Sequence, residues 1–161
     1  MKQNETLGRP AAENARQFLT FLLAGEEYGL PILQVQEIKG YPAVTPLPNA
    51  PAYLRGMMNL RGTVVPVLDL RRKFHLAEAE PTRFTVIVLV TVAGRVVGLV
   101  VDAVADVLDV PTADLEAVPE IDAGIDTGFL SGLAKAGERL VLLLNVERVV
   151  GHEPLPCPTL A

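Results

Sequence analysis

The sequence predicts a mainly β protein in which two small β-barrels pack together, with a few short helices. Three observations carry this reading. The hydrophobic half of the chain is weighted to Val, Leu and Ile with only 5% aromatic residues, a bias that favours strands where the runs are short. Those runs are bounded by Ala-Gly and Arg-Gly turn signals. The third is an internal repeat, the mark of one architecture used twice. A length of 161 residues fits one domain or two very small ones, and closing small sheets into barrels removes their edges.

The repeat has two anchors. "AGEEYGLPILQVQEI" (24–38) aligns with "AGRVVGLVVDAVADV" (93–107) at an offset of 69. "YLRGMMNLRGTVVPVLDL" (53–70) aligns with "FLSGLAKAGERLVLLLNV" (129–146) at an offset of 76. A unit this small buries a limited core alone, so the two copies are expected to pack together and leave a groove between them.

In chain order, residues 1–14 are polar with no apolar segment of the kind a signal peptide needs, and a disordered N-terminus is expected there. The first strand, Phe18–Leu23, is free to pair with either barrel. Glu26 and Glu27 fall at a hairpin turn, where solvation is the ordinary role, and Tyr28–Pro31 follows as the next strand. Glu37 stands out as an acid in a half-apolar stretch. Val64–Leu68 completes the first unit, and Arg71, Arg72 and Lys73 close it. "AEAEPT" breaks the apolar pattern, which sets the boundary near Glu78 to Pro81, with a first barrel over about 24–80 and a second over about 81–151. The second unit contains Phe84–Val92, Val96–Val101 and Leu140–Leu144. Residues 152–161, with Pro154, Pro156 and Pro158, form a flexible tail.

The copies differ in one respect. Between its anchors the second is longer by seven residues, within a segment from Asp102 to Asp126 that holds eight carboxylates. That run reads either as a solvated loop or as a contact surface. Net charge of −5 argues against nonspecific nucleic-acid binding. The single Cys157 excludes an intramolecular disulfide and fits a reducing compartment. The longest uncharged apolar stretch, the eleven residues Phe84–Gly94, is too short to span a membrane, so a cytoplasmic protein is expected.

Catalytic chemistry is poorly represented. "GMMNLRGT" has five residues between its glycines and no Lys, so it is no Walker loop, and no GxGxxG occurs. One Cys and two scattered His cannot make a zinc site. Glu37 has no evident nucleophile or base beside it. No enzyme activity, metal or cofactor is expected. In the Arg61-Gly62 turn, Gly62 permits the chain reversal and Arg61 is presented to a carboxylate or carbonyl, either of a partner or of its own loop. Met57 and Met58 are expected to pack, at least one of them inside a barrel.

"FLTFLLAGEEYGLPILQVQEIKGY", "MNLRGTVVPVLDLRRKF", "RVVGLVVDAVADVL" and "FLSGLAKAGERLVLLLNVERVV" together resemble the CheW family of bacterial chemotaxis coupling proteins, over roughly residues 16–150. The resemblance implies two five-stranded SH3-like barrels around a shared core and a non-catalytic adaptor. Its implied partners are the cytoplasmic hairpin tip of chemoreceptors, the regulatory domain of the histidine kinase CheA and other CheW-like domains. The chain leaves no length for a kinase or receiver domain. Receptor contact is implied at Val35, Glu37, Ile38, Gly56 and Arg61, in the groove between barrels, with Gly62 and Gly98 as turn or structural glycines. The kinase-contact residues are not implied. Rival expectations are a non-flagellar chemosensory adaptor, or a small regulatory β-domain enclosing a ligand pocket.

Overall fold

The protein is described here from a computed structural model, which covers residues 15–41, 44–117 and 127–150. The strands are β1 (Ala15–Leu23), β2 (Glu26–Pro31), β3 (Val35–Gly40), β4 (Leu54–Leu60), β5 (Thr63–Asp69), β6 (Val86–Val92), β7 (Arg95–Val101), β8 (Ala103–Pro111), β9 (Leu115–Glu116), β10 (Leu130–Ala136) and β11 (Arg139–Leu144). Two short helices, α1 (Leu70–Lys73) and α2 (Val146–Val150), follow β5 and β11. The expected polar ends, 1–14 and 152–161, lie outside the described residues, as does Cys157.

The strands form two packed sheets, in the orders β3-β6-β7-β5-β4 and β8-β1-β2-β11-β10-β9. The mainly β class is therefore as expected, with five strands in one sheet and six in the other once the two-residue β9 is included. The division into a first barrel over 24–80 and a second over 81–151 is not how the strands pair. β1 and β2, from the first repeat, join β8, β10 and β11 of the second. β6 and β7 join β3, β4 and β5 of the first. Each repeat gives its leading hairpin to the other.

The repeat offsets recur as register. Val67 on β5 pairs in parallel with Gly98 on β7, and Leu143 on β11 pairs in parallel with Gly29 on β2. The two glycines are 69 residues apart and their partners 76 apart. Bulges repeat too: β3 leaves Gln36 unpaired and β8 leaves Ala105, while β4 leaves Arg55 and β10 leaves Ser131.

The glycines stand where the exchanged hairpin meets its host. A Cβ at Gly98 would lie 2.8 Å from Cγ2 of Ile87, and one at Gly29 would lie 3.1 Å from Cδ2 of Leu143. Gly98 is thus a structural glycine inside a strand and not a turn residue. Ala24-Gly25, Arg61-Gly62 and Ala93-Gly94 are the hairpin turns, each with positive φ at both positions, the backbone that two-residue hairpins need.

Packing follows from strand parity. Ile87 and Leu89 of β6 join Met58, Leu60, Val65, Val67 and Val100 in a core inside the first sheet. Phe18, Val110, Ala134, Val141 and Leu143 fill the second sheet in the same way. Val88, Val90 and Val92 point the other way, into a larger core shared by both sheets with Leu19, Phe21, Leu30, Leu99 and the helix residues Leu70, Val146 and Val149. Burial on both faces is why β6 reads as an unbroken apolar run. Each sheet thus wraps a small core of its own, the SH3-like arrangement, and the shared core joins them.

The cationic cluster after β5 is used for folding. Asp69 caps α1, accepting from the backbone N–H of Arg71 at 3.0 Å. Arg71 donates to both oxygens of Asp102, at 3.0 and 2.6 Å, and to the Ala77 carbonyl at 2.7 Å. Asp102 also accepts from Ala24 N–H at 2.9 Å, so one carboxylate ties α1, β8 and the first hairpin together. Arg72 reaches the Ala52 carbonyl and Glu78, and the Lys73 ammonium lies 3.9 Å from the Tyr53 ring centroid.

The exchange makes the halves interdependent. Separately produced fragments 1–80 and 81–161 are expected to lack a cooperative thermal transition as monomers, and to regain β circular dichroism and cooperative melting on equimolar mixing. A cooperative melt from either monomeric fragment would show instead that each half closes on itself.

The Asp102 tie makes a pH prediction. The Arg71 hydrogen bonds hold its carboxyl below the ordinary range against the opposing effect of burial. A depressed folded pKa contributes stability above the unfolded value, about 3.9, and that contribution disappears as pH falls through the folded value. Asp102→Asn should therefore cost about 1 kcal/mol at neutral pH, a figure kept low because the pair is part-exposed, and less at a pH below the unfolded value. Chemical denaturation at both pH values measures the difference.

Candidate functional site

The residues singled out in the sequence centre on β3, whose two faces do different jobs. Facing residues on antiparallel strands share a face. Val35 opposes Val90 and Ile38 opposes Val88, both on the shared-core side, whereas Glu37 opposes Leu89 on the inner side of the first barrel. Without the Gln36 bulge, Val35 and Ile38, three positions apart, would point in opposite directions. Val35 is half-buried against the shared core, while Ile38 is 41% exposed. Together they form an apolar edge beside the junction of the two sheets.

On the inner side, Glu37 meets Arg61. The guanidinium donates to Oε1 at 2.8 Å and to Oε2 at 3.4 Å, and Lys39 Nζ stands 3.7 Å from Oε2. β3 and β4 are opposite ends of the strand order, so a bond from the β4–β5 turn to β3 means that the sheet has curled round on itself. The Arg55 guanidinium adds a second closure, donating to the Tyr41 hydroxyl at 2.6 Å and to Asp69 at 3.3 Å. The Arg61 turn is held by Asn59, whose Oδ1 accepts from Gly62 N–H at 2.7 Å. Arg61 remains 62% exposed. Its hydrogen bond is the main cause that holds the Glu37 carboxyl below its ordinary range.

Gly56 belongs to a different part of the barrel. It has φ of +149°, and a Cβ there would lie 2.1 Å from the Thr45 carbonyl oxygen. Thr45 and Met57 exchange backbone hydrogen bonds at 2.9 and 2.8 Å across this contact. Met58 lies inside the barrel and Met57 is also buried. Val35, Ile38, Glu37 and Arg61 therefore gather on β3 and the facing turn, and Gly56 supports the barrel wall. Gly56→Ala is expected to destabilise the protein by about 3 kcal/mol, since backbone must move to admit the methyl. A thermal melt without any partner measures this; an unchanged melt would return Gly56 to the surface role.

A second, equivalent surface escaped the reading of individual residues, although the repeat offsets point to it. Val104 and Val107 on β8 oppose Phe21 and Leu19 of the shared core, and Asp106 opposes Thr20. These repeat Val35, Ile38 and Glu37. Val64 and Leu140, also equivalent, are both about half exposed. Arg139 takes the part of Arg61, reaching Asp106 at 3.7 Å and Glu27 through Nε at 3.1 Å and through Nη2. Glu27 was expected to be a solvated turn residue; its side chain is only 14% exposed, and the Arg139 hydrogen bonds hold its carboxyl below the ordinary range. The sequence hides this because Arg139 lies 112 positions away. The two faces differ in charge. Arg61 and Lys39 against Glu37 leave one positive charge; Arg139 against Glu27 and Asp106 leaves one negative.

Among the described residues no group of His, Cys, Asp or Glu is placed to hold a metal ion, and no helix is long and apolar enough to cross a membrane. The recess lined by Arg55, Glu78, Ala79, Glu80 and Pro81 is polar, open and about 220 Å³, unlike an enclosed apolar ligand pocket.

The fold and these edges define a class: a pseudo-symmetric pair of β-barrels with exchanged hairpins and one exposed apolar edge on each barrel. The chain belongs to the CheW-like family, whose domain model matches residues 17–153. It is 40% identical over 151 residues to the chemotaxis protein CheW of Klebsiella aerogenes, covering 93% of this chain and 91% of that one. Identity to the CheW of Rhizobium meliloti is 37%, covering 86% and 89%. Among solved structures, the scaffolding protein TtCheW of Thermoanaerobacter tengcongensis matches with a TM-score of 0.80 at 31% identity, covering 84% of this chain and 92% of that one.

Proposed function

We propose that this protein is a non-catalytic coupling protein that links the cytoplasmic hairpin tip of chemoreceptors to the regulatory domain of the histidine kinase CheA, working in the cytoplasm at receptor arrays. The observation that carries this reading is the duplicated edge. One molecule presents two related apolar surfaces, Val35–Ile38 with Arg61 and Val104–Val107 with Arg139, of opposite net charge. Related shape with different charge lets one fold hold two partners apart in specificity. The first face serves the receptor; the second serves the CheW-like domain of the kinase, and the same complementarity admits other CheW-like domains.

The test is pull-down of receptor signalling fragments and of CheA, with thermal melts of each variant. Arg61→Glu should weaken receptor binding by roughly tenfold to a hundredfold and spare the kinase. Leu140→Glu, also about half exposed, should do the reverse. Val35→Ala should weaken receptor binding by about 1 kcal/mol through lost apolar contact. If Arg61→Glu binds both partners normally, the first face is wrongly assigned; if it unfolds, Arg61 serves the barrel and not a partner.

A further inference from the structure

Glu37 is bracketed by two cations of different reach. Arg61 engages it with the planar two-point geometry that suits a carboxylate, while Lys39, at 3.7 Å, is a neighbouring charge and not a formed hydrogen bond. Lys39 points the same way as Glu37 because β3 resumes its alternation after the Gln36 bulge: Glu37 opposes Leu89 and Lys39 opposes Ile87. Arg61 is the more exposed cation, at 62% against 36%, and its turn is already held by Asn59. A partner can thus engage the guanidinium without rebuilding the backbone. Withdrawing Arg61 would cost the Glu37 carboxylate, partly covered within the pair, the cation that does most to favour its charged form. Lys39 is close enough to remove that cost by a change of rotamer.

We propose that Glu37, Arg61 and Lys39 form a carboxylate-exchange site, in which an Asp or Glu side chain of the partner takes Arg61 while Glu37 passes to Lys39. This rests on the receptor-facing reading given above and adds the chemistry of the contact. The trio carries one net positive charge, which one incoming carboxylate neutralises. Glu37 and Lys39 are then positioning residues that act through Arg61. The charges around Glu37 agree: the Arg61 hydrogen bond does most to hold its carboxyl down, and the Lys39 ammonium adds to it.

Two measurements test this. The first needs no partner: titrate the Glu37 carboxyl by carbon NMR in Arg61→Ala and in Arg61→Ala/Lys39→Gln. The single variant should keep the carboxyl below its ordinary range and the double variant should release it. Identical titrations in the two would overturn the proposal. The second is calorimetry with a receptor signalling fragment, in buffers of different ionisation enthalpy near pH 5, alongside the same fragment with its tip acids changed to amides. Lys39→Gln should bind about tenfold more weakly and take up a fraction of a proton, as Glu37 returns toward its ordinary value. In a Glu37→Gln background, Lys39→Gln should change nothing further, and the amide fragment should be insensitive to both changes. Equal losses with and without Glu37 would make Lys39 an independent contact and overturn the exchange. No binding of either fragment by the native protein, with the NMR result as expected, would instead sink the receptor reading and leave the Lys39 takeover standing.

Discussion

The exchange of leading hairpins between the two repeats is the constraint on which the remaining structure depends. It is made at two parallel strand pairs, β5 with β7 and β2 with β11, and a glycine occupies the centre of each. Parallel pairing cannot be made by a short hairpin, so β5 must find a strand that enters from the other repeat. Gly29 and Gly98 leave the room that the side chains of Val141, Leu143 and Ile87 fill. Because the hairpins cross over, β1 and β6 carry one face into the opposite repeat's barrel and the other into the shared core. That is how a short chain with no Trp and few aromatic side chains builds a large apolar interior.

The same exchange exposes β3 and β8. Each lies at the end of a sheet, paired on one side with a donated strand, β6 or β1. An exposed edge is a hazard unless it is interrupted, and both edges carry a bulge and an ion pair. The bulge turns two apolar residues toward the junction of the sheets, and the arginine from the facing hairpin covers the acid on the inner side. Closure of the barrel and construction of the exposed apolar edge are therefore one arrangement. Arg61 contributes to both, closing the barrel through Glu37 while most of its side chain stays exposed at that edge.

A mainly β, duplicated architecture was legible in the sequence because strand runs and their turns are set locally and the repeat offsets can be read along the chain. So was the prominence of Glu37 and Arg61, a half-apolar acid and a turn arginine. Their mutual bond was not, since 24 positions separate them and only the curling of the sheet brings them together. Arg71, Arg72 and Lys73 look like a basic patch in one dimension, yet each is occupied by Asp102, by Ala52 and Glu78, or by the Tyr53 ring.

Composition, periodicity and the two offsets by themselves determined that this is a β-protein with a duplicated unit, because strand propensity and turn chemistry act over a few residues. Which strand belongs to which barrel was decided only in three dimensions. The break at "AEAEPT" is a real interruption of the apolar pattern, but strand partnership depends on where the donated hairpin finds a free edge and a matching glycine. The face that each edge residue presents was also a tertiary outcome. An unpaired residue at Gln36 or Ala105 shifts every following side chain to the other face, and the partner strand alone fixes where that shift falls.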